Sequence, residues 1–191
     1  KLAPMSGGAI PDGHSASLES TSYEASNGLV HASGSNVCEL EVDTGTGEVR
    51  LLNYSVAHDC GKKINPLIVE GQIIGGVVHG IGNALFEEMI YDDNGQPQTT
   101  NYGEYLLPLA TEMPPINIVH QETASPLNPL GLKGAGEGGT IPAAGAIVAA
   151  IENALQEFDV VIDRYPVTPQ YLCNLIDSGA QTVTTPITEE L

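Results

Sequence analysis

Hydrophobic residues in the first part of the chain follow a β-type pattern on both sides of a short turn. An apolar run at 37–42 precedes the glycine-containing segment 43–48, and a second run occupies residues 49–56. Two such runs around a glycine turn are typical of a β-hairpin. Later apolar runs predict two more strands, over residues 116–120 and 160–165.

Residues 66–89 have the period of a long helix. Asn65 is well suited to cap its start, and Pro66 is tolerated in a first turn. At about 100° per residue the large aliphatic side chains fall on one broad arc. This arc is predicted to face the core and contains Ile73, Ile74, Val77, Val78, Ile81, Ala84, Leu85 and Met89.

The opposite arc of this helix is unusual because it is rich in glycine rather than in charged residues. It also carries Gln72 and His79. Inside a helix, glycine costs about 0.5–1 kcal/mol relative to alanine. The pattern therefore indicates close approach of either another backbone or a polar ligand contacted by Gln72. The glycines on this arc are Gly75, Gly76, Gly80 and Gly82.

A Pro- and Gly-rich loop at 122–139 leads into a second predicted helix at 141–157, with Thr140 as its cap. A loop of this length inside a compact domain is usually functional. A short helix is expected at 168–176. Strands and helices in this order predict an α+β fold with a mixed sheet and two main helices.

The ends of the chain differ in composition from its centre. Residues 1–34 are rich in Gly, Ser and Ala and are expected to be a loop-like entry segment, and residues 177–191 a polar, Thr-rich tail. The ordered unit is then predicted at 35–176. Because the chain opens with Lys1, we expect it to be part of a longer protein.

Charge and composition exclude several classes of partner. The chain has 191 residues, of which 24 are acidic and 6 basic, giving a formal net charge of −18. Such an excess repels nucleic acid and anionic membranes. There is no apolar run of about 18 residues, so no spanning helix is expected. The three cysteines form no C-x-x-C motif, which argues against an iron–sulfur or thiolate zinc site in this chain and favours the cytoplasm.

The glycine run before the second helix matches G-x-G-x-x-G at Gly134, Gly136 and Gly139. A dinucleotide fingerprint should follow a hydrophobic strand, whereas prolines precede this run, so a Rossmann site is disfavoured. Glycines before a helix can still cradle an anionic group through free N–H donors. Glu137 within the run is either an acidic residue near a helix N-terminus or a general base with room for a reacting group beside it.

Histidines and acidic residues give weaker signals. The five histidines show no paired metal-ligand spacing, so a metal site made by protein side chains is not expected. The segment beginning His58-Asp59 is predicted to be a polar turn. These two residues could form a catalytic pair, although neighbours in sequence seldom face each other.

Three segments together, at 59–66, 70–82 and 133–139, resemble one family. They are Asp59-Cys60-Gly61 with Ile64-Asn65-Pro66, Glu70-Gly71-Gln72 with Gly75-Gly76 and His79-Gly80-Ile81-Gly82, and Lys133-Gly134-Ala135-Gly136-Glu137-Gly138-Gly139. In order, spacing and context they are similar to the C-terminal part of the molybdenum-binding subunit of the xanthine dehydrogenase/aldehyde oxidase family. The carbon-monoxide-dehydrogenase-like bacterial branch is the most similar.

The resemblance implies a hydroxylase that oxidises a carbon centre of an aldehyde, an N-heterocycle or a similar small molecule, with water as the oxygen source. Molybdenum would be held by molybdopterin, with the cytosine dinucleotide form left open, and not by side chains. By resemblance Glu137 is the general base and Gln72 binds the cofactor. Lys133 and Gly134 would lie beside the pterin, and Asp59 is a further candidate. His79 stands where relatives often have Gln, which disfavours cofactor contact through it.

The resemblance also implies partners: the rest of the molybdenum subunit, and iron–sulfur clusters and FAD on other domains or subunits. Family subunits are several times longer, so the chain alone is expected to be inactive. Two alternatives stay open. One is a non-catalytic binding or assembly module of a multi-subunit oxidoreductase, and the other is a nucleotide-binding domain at residues 134–139.

Overall fold

A three-stranded mixed sheet and three helices make up the described part of the chain. The computed structural model describes residues 21–23 and 28–183, with side chains through residue 179; most of the predicted entry segment and residues 184–191 lie outside these ranges. The strands are β1 (Ser33–Val42), β2 (Val49–Asp59) and β3 (Ile116–His120), and the helices are α1 (Pro66–Leu85), α2 (Thr140–Ala154) and α3 (Pro169–Val183).

The predicted hairpin is confirmed, and β2 lies at the centre of the sheet. β1 and β2 pair antiparallel, from Ser33 opposite Asp59 to Val42 opposite Val49. The Asp43 carboxylate shapes the turn because it accepts a hydrogen bond from the N–H of Gly45, at 2.8 Å. β3 runs parallel to β2 on the other side, so the sheet is mixed, as the α+β prediction requires.

The core lies between the sheet and the helices, and it is aliphatic apart from two tyrosines. α2 packs against both α1 and β1. Burying a large aliphatic side chain stabilises a fold by about 1.5–3 kcal/mol, so this cluster is the main source of stability in a chain without Trp. Its fully buried members include Tyr54, Ile73, Val77, Ile81, Ile147, Ile151 and Leu172.

α1 is rotated relative to the predicted arc. Asn65 caps it as expected, accepting from the N–H of Ile68 at 3.3 Å. However, Ile74 is 41% exposed. The buried stripe instead includes Gly76 and Gly80, because the start of α2 lies against them.

The close approach occurs at the N-terminus of α2. A Cβ atom on Gly76 would lie 2.9 Å from the backbone N of Thr140, and one on Gly80 would collide with Ala143. A Cβ on Gly139 would collide with the carbonyl of Ile73 in α1. Of the two alternatives for the glycine arc, another backbone is therefore the one observed at Gly76 and Gly80.

α1 ends at Leu85 rather than at the predicted Met89. The N–H groups of Phe86 and Glu87 both donate to the carbonyl of Gly82, which turns the chain out of the helix. The carbonyl of Ala84 accepts from the N–H of Val167 at 2.7 Å. A segment distant in the sequence thus supplies a hydrogen bond to the C-terminal end of α1. The periodicity of the sequence could not predict where that end lies.

The expected strand at 160–165 is wrong. Among the described residues this segment pairs with no strand, and side chains accept two of its N–H groups. Ile162 donates to the carboxylate of Glu152 at 2.8 Å, and Asp163 donates to the hydroxyl of Tyr171 at 3.2 Å. Residues that read as β-type therefore form an irregular segment that packs beside α2 and α3.

Three further helix boundaries differ from prediction. α2 ends at Ala154 rather than at about residue 157, and a single 3₁₀ turn follows it at Gln156–Phe158. Thr140 is the first residue of α2 rather than its cap; Gly139 holds the cap position without a side-chain hydrogen bond. α3 runs to Val183, into the segment predicted to be a polar tail. Gly179 explains part of this extension, because the absence of a Cβ lets α3 lie against the carbonyl of Phe158.

Candidate functional site

The end of β2 is a buried polar segment. His58, Asp59 and Cys60 are all buried, so the predicted polar turn is wrong here and β2 continues through Asp59. The reason is tertiary: β3 pairs with this end of the strand on one side, and the loop before α2 covers it.

Asp59 and Lys133, two predicted cofactor-binding residues, contact each other. Lys133 Nζ lies 3.0 Å from Asp59 Oδ2, and the side chains are only 14% and 9% exposed. Asp59 also accepts from the N–H of Thr123 at 3.1 Å and of Gly61 at 2.8 Å. Hydrogen bonds from Thr123, Gly61 and Lys133 hold the pKa of Asp59 well below its usual range. This pair fixes the loop to the sheet.

The loop before residue 134 is held tightly by its backbone. Lys133 donates its N–H to the carbonyl of Cys60 at 2.8 Å, and Lys62 donates to the carbonyl of Gly131 at 3.2 Å. The Asn128 side chain brackets Leu132, accepting from its N–H and donating to its carbonyl, both at 2.8 Å. The long loop is therefore rigid up to the point where the glycine run begins.

The glycine run itself is open. Within the described part of the chain, no backbone N–H of residues 134–138 donates a hydrogen bond to another residue. Cβ atoms on Gly134 or Gly136 would have nothing within 4 Å. The run forms one wall of a cavity of about 470 Å³ whose other walls are residues 30–34, His58 and the start of α2. The N–H groups of these five adjacent cavity-wall residues thus have no protein partner in the described part of the chain.

Glu137 lines this cavity. Its side chain is exposed, and its carbonyl accepts the N–H groups of Thr140 and Ile141 at 3.1 and 3.2 Å, which starts α2. The backbone of Glu137 is therefore anchored at a helix start, while its exposed side chain belongs to a residue of the cavity wall. Gly134 lines the same cavity.

Gln72 lies on α1, away from the lining of the Glu137 cavity. It is exposed near the start of α1, and it is not among the residues that line the Glu137 cavity. Its neighbour Ile73 touches Gly139, two residues beyond Glu137, so the two backbones are close. His79 is likewise exposed on α1. A cofactor role for Gln72 stays a prediction.

His58 is the residue that sequence analysis undervalued. It is 2% exposed and lines the cavity, yet neither ring nitrogen has a hydrogen-bond partner in the described part of the chain. Burial, with a smaller contribution from His120 opposite it on β3, lowers the pKa of His58, which favours the neutral ring. One sequence feature could have indicated this pair of histidines: His58 follows the predicted strand at 49–56, and His120 ends the predicted strand at 116–120.

No group of three His, Cys, Asp or Glu side chains positioned to hold a metal ion occurs among residues 21–23 and 28–183. In the same part of the chain, no helix combines the length and apolar character needed to cross a bilayer.

Comparison with known proteins gives the family. A family model described as "Molybdopterin cofactor-binding domain" matches residues 12–114, more than half of the chain. The chain is 45% identical, over 76% of its length, to the gamma subunit of the 6-hydroxypseudooxynicotine dehydrogenase complex of Paenarthrobacter nicotinovorans. It is 32% identical, over 78% of its length, to the large chain of carbon monoxide dehydrogenase of Hydrogenophaga pseudoflava.

The crystal structure of quinoline 2-oxidoreductase from Pseudomonas putida 86 is similar in three dimensions. The TM-score is 0.81 with 44% sequence identity, over 88% of this chain and 21% of that one. The chain also covers only 18% and 19% of the two curated relatives. It thus spans about a fifth of the length of the proteins that it matches.

The chain belongs to the molybdopterin cofactor-binding domain family. The proteins that it is similar to include large or molybdenum-binding subunits of carbon monoxide dehydrogenase and xanthine dehydrogenase. The family resemblance inferred from the sequence motifs is confirmed. The residues of the cavity fit the cofactor that the family name implies. Molybdopterin carries acceptor oxygens at its pterin carbonyl and its phosphate group. The cavity is lined by residues 134–138 and by the His58 ring, whose N–H groups and ring nitrogens have no partner in the described part of the chain.

Proposed function

We propose that this chain is the C-terminal portion of a molybdenum hydroxylase large subunit, with an N-heterocycle as the substrate and water as the oxygen source. The observation that carries the proposal is the position of Glu137, a free carboxylate on the wall of a glycine-lined cavity at the start of α2. Relatives named for nicotine and quinoline, at 40% and 44% identity, support the substrate class.

The roles of the residues follow from their chemistry. Bound molybdopterin, in its cytosine dinucleotide form, would supply the redox chemistry of the reaction. The N–H groups of residues 134–138 would hold acceptor oxygens of that cofactor. Glu137 would accept, at a carboxylate oxygen, the proton of the hydroxyl that attacks the substrate carbon. Lys133 and Asp59 would act through their ion pair, which sets where the glycine run begins.

The rest of the site would come from outside this chain. The chain spans about a fifth of its relatives, and one relative is named as a subunit of a complex. We therefore propose that the remainder of the molybdenum subunit completes the pocket and that the chain alone is inactive. Electrons would leave through iron–sulfur and flavin subunits.

The test is turnover by the full-length subunit assembled with its partners, using nicotine and quinoline as probe substrates. Glu137→Gln should lower kcat by more than about 10²-fold, because one acid–base group contributes at least that much. Glu88→Gln, which changes an exposed glutamate just beyond α1, is the matched control and should leave kcat unchanged. Both variants should contain as much molybdenum as wild type.

Each component of the proposal has its own contrary result. Near-normal turnover by Glu137→Gln would remove the general base. Failure of a molybdenum-loaded complex to oxidise either probe would contradict the N-heterocycle class. A correctly assembled wild-type complex without molybdenum would favour the non-catalytic assembly module instead.

A further inference from the structure

Two histidines, His58 buried and His120 half-buried, lie side by side on the central and outer strands. His58 and His120 are directly opposite each other in the parallel β2–β3 register. The ring nitrogens of both are buried without hydrogen-bond partners in the described part of the chain. Leaving a buried polar group unpaired costs about 1–3 kcal/mol, so a structural histidine would normally be satisfied by its own fold.

The two histidines differ in what they face. His58 is part of the cavity wall, whereas His120 is not. His120 has an acidic neighbour, since its Nε2 lies 3.5 Å from Glu70 Oε1 on α1. No carboxylate lies within ion-pair distance of the His58 ring in the described residues. Of these two histidines, His58 is therefore the one whose ring both borders the cavity and lacks hydrogen-bond partners in the described part of the chain.

The glycine run holds the His58 ring in place. A Cβ atom on Gly138 would collide with Nε2 and Cδ2 of His58, so only glycine at 138 leaves room for the imidazole there. The contact also identifies Nε2 as the ring nitrogen nearest to the run. This arrangement explains the glycine at 138, which lies in the turn before α2 and does not have the left-handed φ that would itself favour glycine.

The groups around His58 indicate whether its ring would donate a hydrogen bond to a bound group or accept one from it. The free N–H groups of residues 134–138 are donors, so the group that satisfies them must be an acceptor. A neutral imidazole has one N–H donor and one acceptor nitrogen. The ring can join the donors of the glycine run without adding a buried charge beside Glu137, which lines the same cavity.

We propose that His58 is a cofactor-binding residue: its Nε2–H donates a hydrogen bond to an acceptor oxygen of the cofactor held against residues 134–138. This inference rests on the proposed function and adds a binding residue to the same site.

The test measures how firmly the assembled full-length enzyme holds its cofactor, as molybdenum and released pterin per subunit during dialysis. His58→Leu should release both about tenfold faster than wild type, the effect of one lost hydrogen bond. His58→Gln places an amide donor near the position of Nε2 and should stay close to wild type.

Two further variants separate binding from folding. His120→Leu removes the neighbouring imidazole, which lies beside Glu70 and outside the cavity, so it should retain the cofactor as wild type does. His58→Asn keeps a polar group at the shorter position of Nδ1, and it should release the cofactor as fast as His58→Leu. If His58→Leu does not fold, the comparison of the Asn and Gln variants carries the test.

The inference fails if His58→Leu, or His58→Asn where Leu does not fold, keeps molybdenum and pterin as firmly as His120→Leu. It also fails if the Gln and Asn variants lose the cofactor at equal rates, because the position of the donor would then not matter. A wild-type complex without molybdenum overturns the proposed function itself, and this inference with it.

Discussion

Two groups of glycines lie around the N-terminus of α2, and they differ in what surrounds their Cβ positions. Gly76, Gly80 and Gly139 lie where α1 crosses the beginning of α2, and a Cβ on any of them would meet atoms of the chain itself. Gly134 and Gly136, only a few residues before α2, would meet nothing within 4 Å. One group is explained by packing inside this chain, and the other is not.

The difference separates a structural requirement from a functional one. A glycine inside a helix is unfavourable unless something needs the space, and at Gly76 the N-terminus of α2 fills it. At Gly134 and Gly136 the space lies in the cavity that Glu137 lines. Nothing in the described residues fills this space. Room for a bound group therefore explains these two glycines better than packing within the chain does.

The largest expected effect tests the packed group. Gly76→Ala should destabilise the full-length subunit by about 1–3 kcal/mol, because the added methyl overpacks a contact with backbone. Gly75→Ala, one residue earlier in the same helix, enters open space and should stabilise it by about 0.5–1 kcal/mol. Thermal unfolding midpoints of the two variants should therefore move in opposite directions. Equal shifts would show that the α1–α2 contact is not what requires glycine.

A second prediction concerns what holds the open group in place. Asp59→Asn should lower the unfolding midpoint at pH 7, since it leaves the Lys133 ammonium without its buried partner. The effect should be smaller than that of Gly76→Ala, because the amide oxygen can still accept from Gly61 and Thr123. Glu41→Gln, which breaks the exposed Arg50–Glu41 pair, should have almost no effect.

The Asp59 effect has a defined pH dependence. Because the pKa of Asp59 is lowered by folding, its stabilisation is complete above the unfolded value of about 4 and is lost as the pH falls below it. The difference in midpoint between wild type and Asp59→Asn should be constant from pH 7 to about pH 5 and should narrow below about pH 4. A gap that widened on acidification would rule out a stabilising Asp59 carboxylate.

The smallest effect on stability should come from the open group itself. Gly136 does not adopt a left-handed φ and its Cβ position is empty, so Gly136→Ala should change stability by no more than about 0.5 kcal/mol. It should nevertheless lower the molybdenum content of the assembled enzyme, because the methyl enters the cavity. Gly145→Ala, an exposed site on α2 with equal space, should leave that content unchanged. If both variants contain as much molybdenum as wild type, the open space at Gly136 is not needed for a bound cofactor.

Much of the fold could be predicted because its signals are local. The hairpin follows from two apolar runs and a glycine turn, and the start of α1 follows from Asn65 and Pro66. The third strand is also observed where predicted. The strand expected at 160–165 failed for a non-local reason: a strand needs an edge to pair with, and Glu152 and Tyr171 take its N–H groups instead.

The candidate site could be predicted only in part from the sequence. Glu137 stands out among its glycines, and the structure places it and Gly134 at one cavity. The pairing of Asp59 with Lys133 joins residues 74 positions apart, and no local pattern carries that information. His58 was read as part of a polar turn because its burial depends on β3 and the glycine run, which meet it only in the fold.

The sequence by itself determined the start of α1, the hairpin, the family and the identity of the acidic residue in the glycine run, since all of these depend on neighbours along the chain. The tertiary structure alone decided which glycines are filled by backbone and which face open space, and that a buried histidine lacks a partner. Steric contact and hydrogen-bond satisfaction are properties of atoms brought together from distant positions, so only the folded arrangement could settle them.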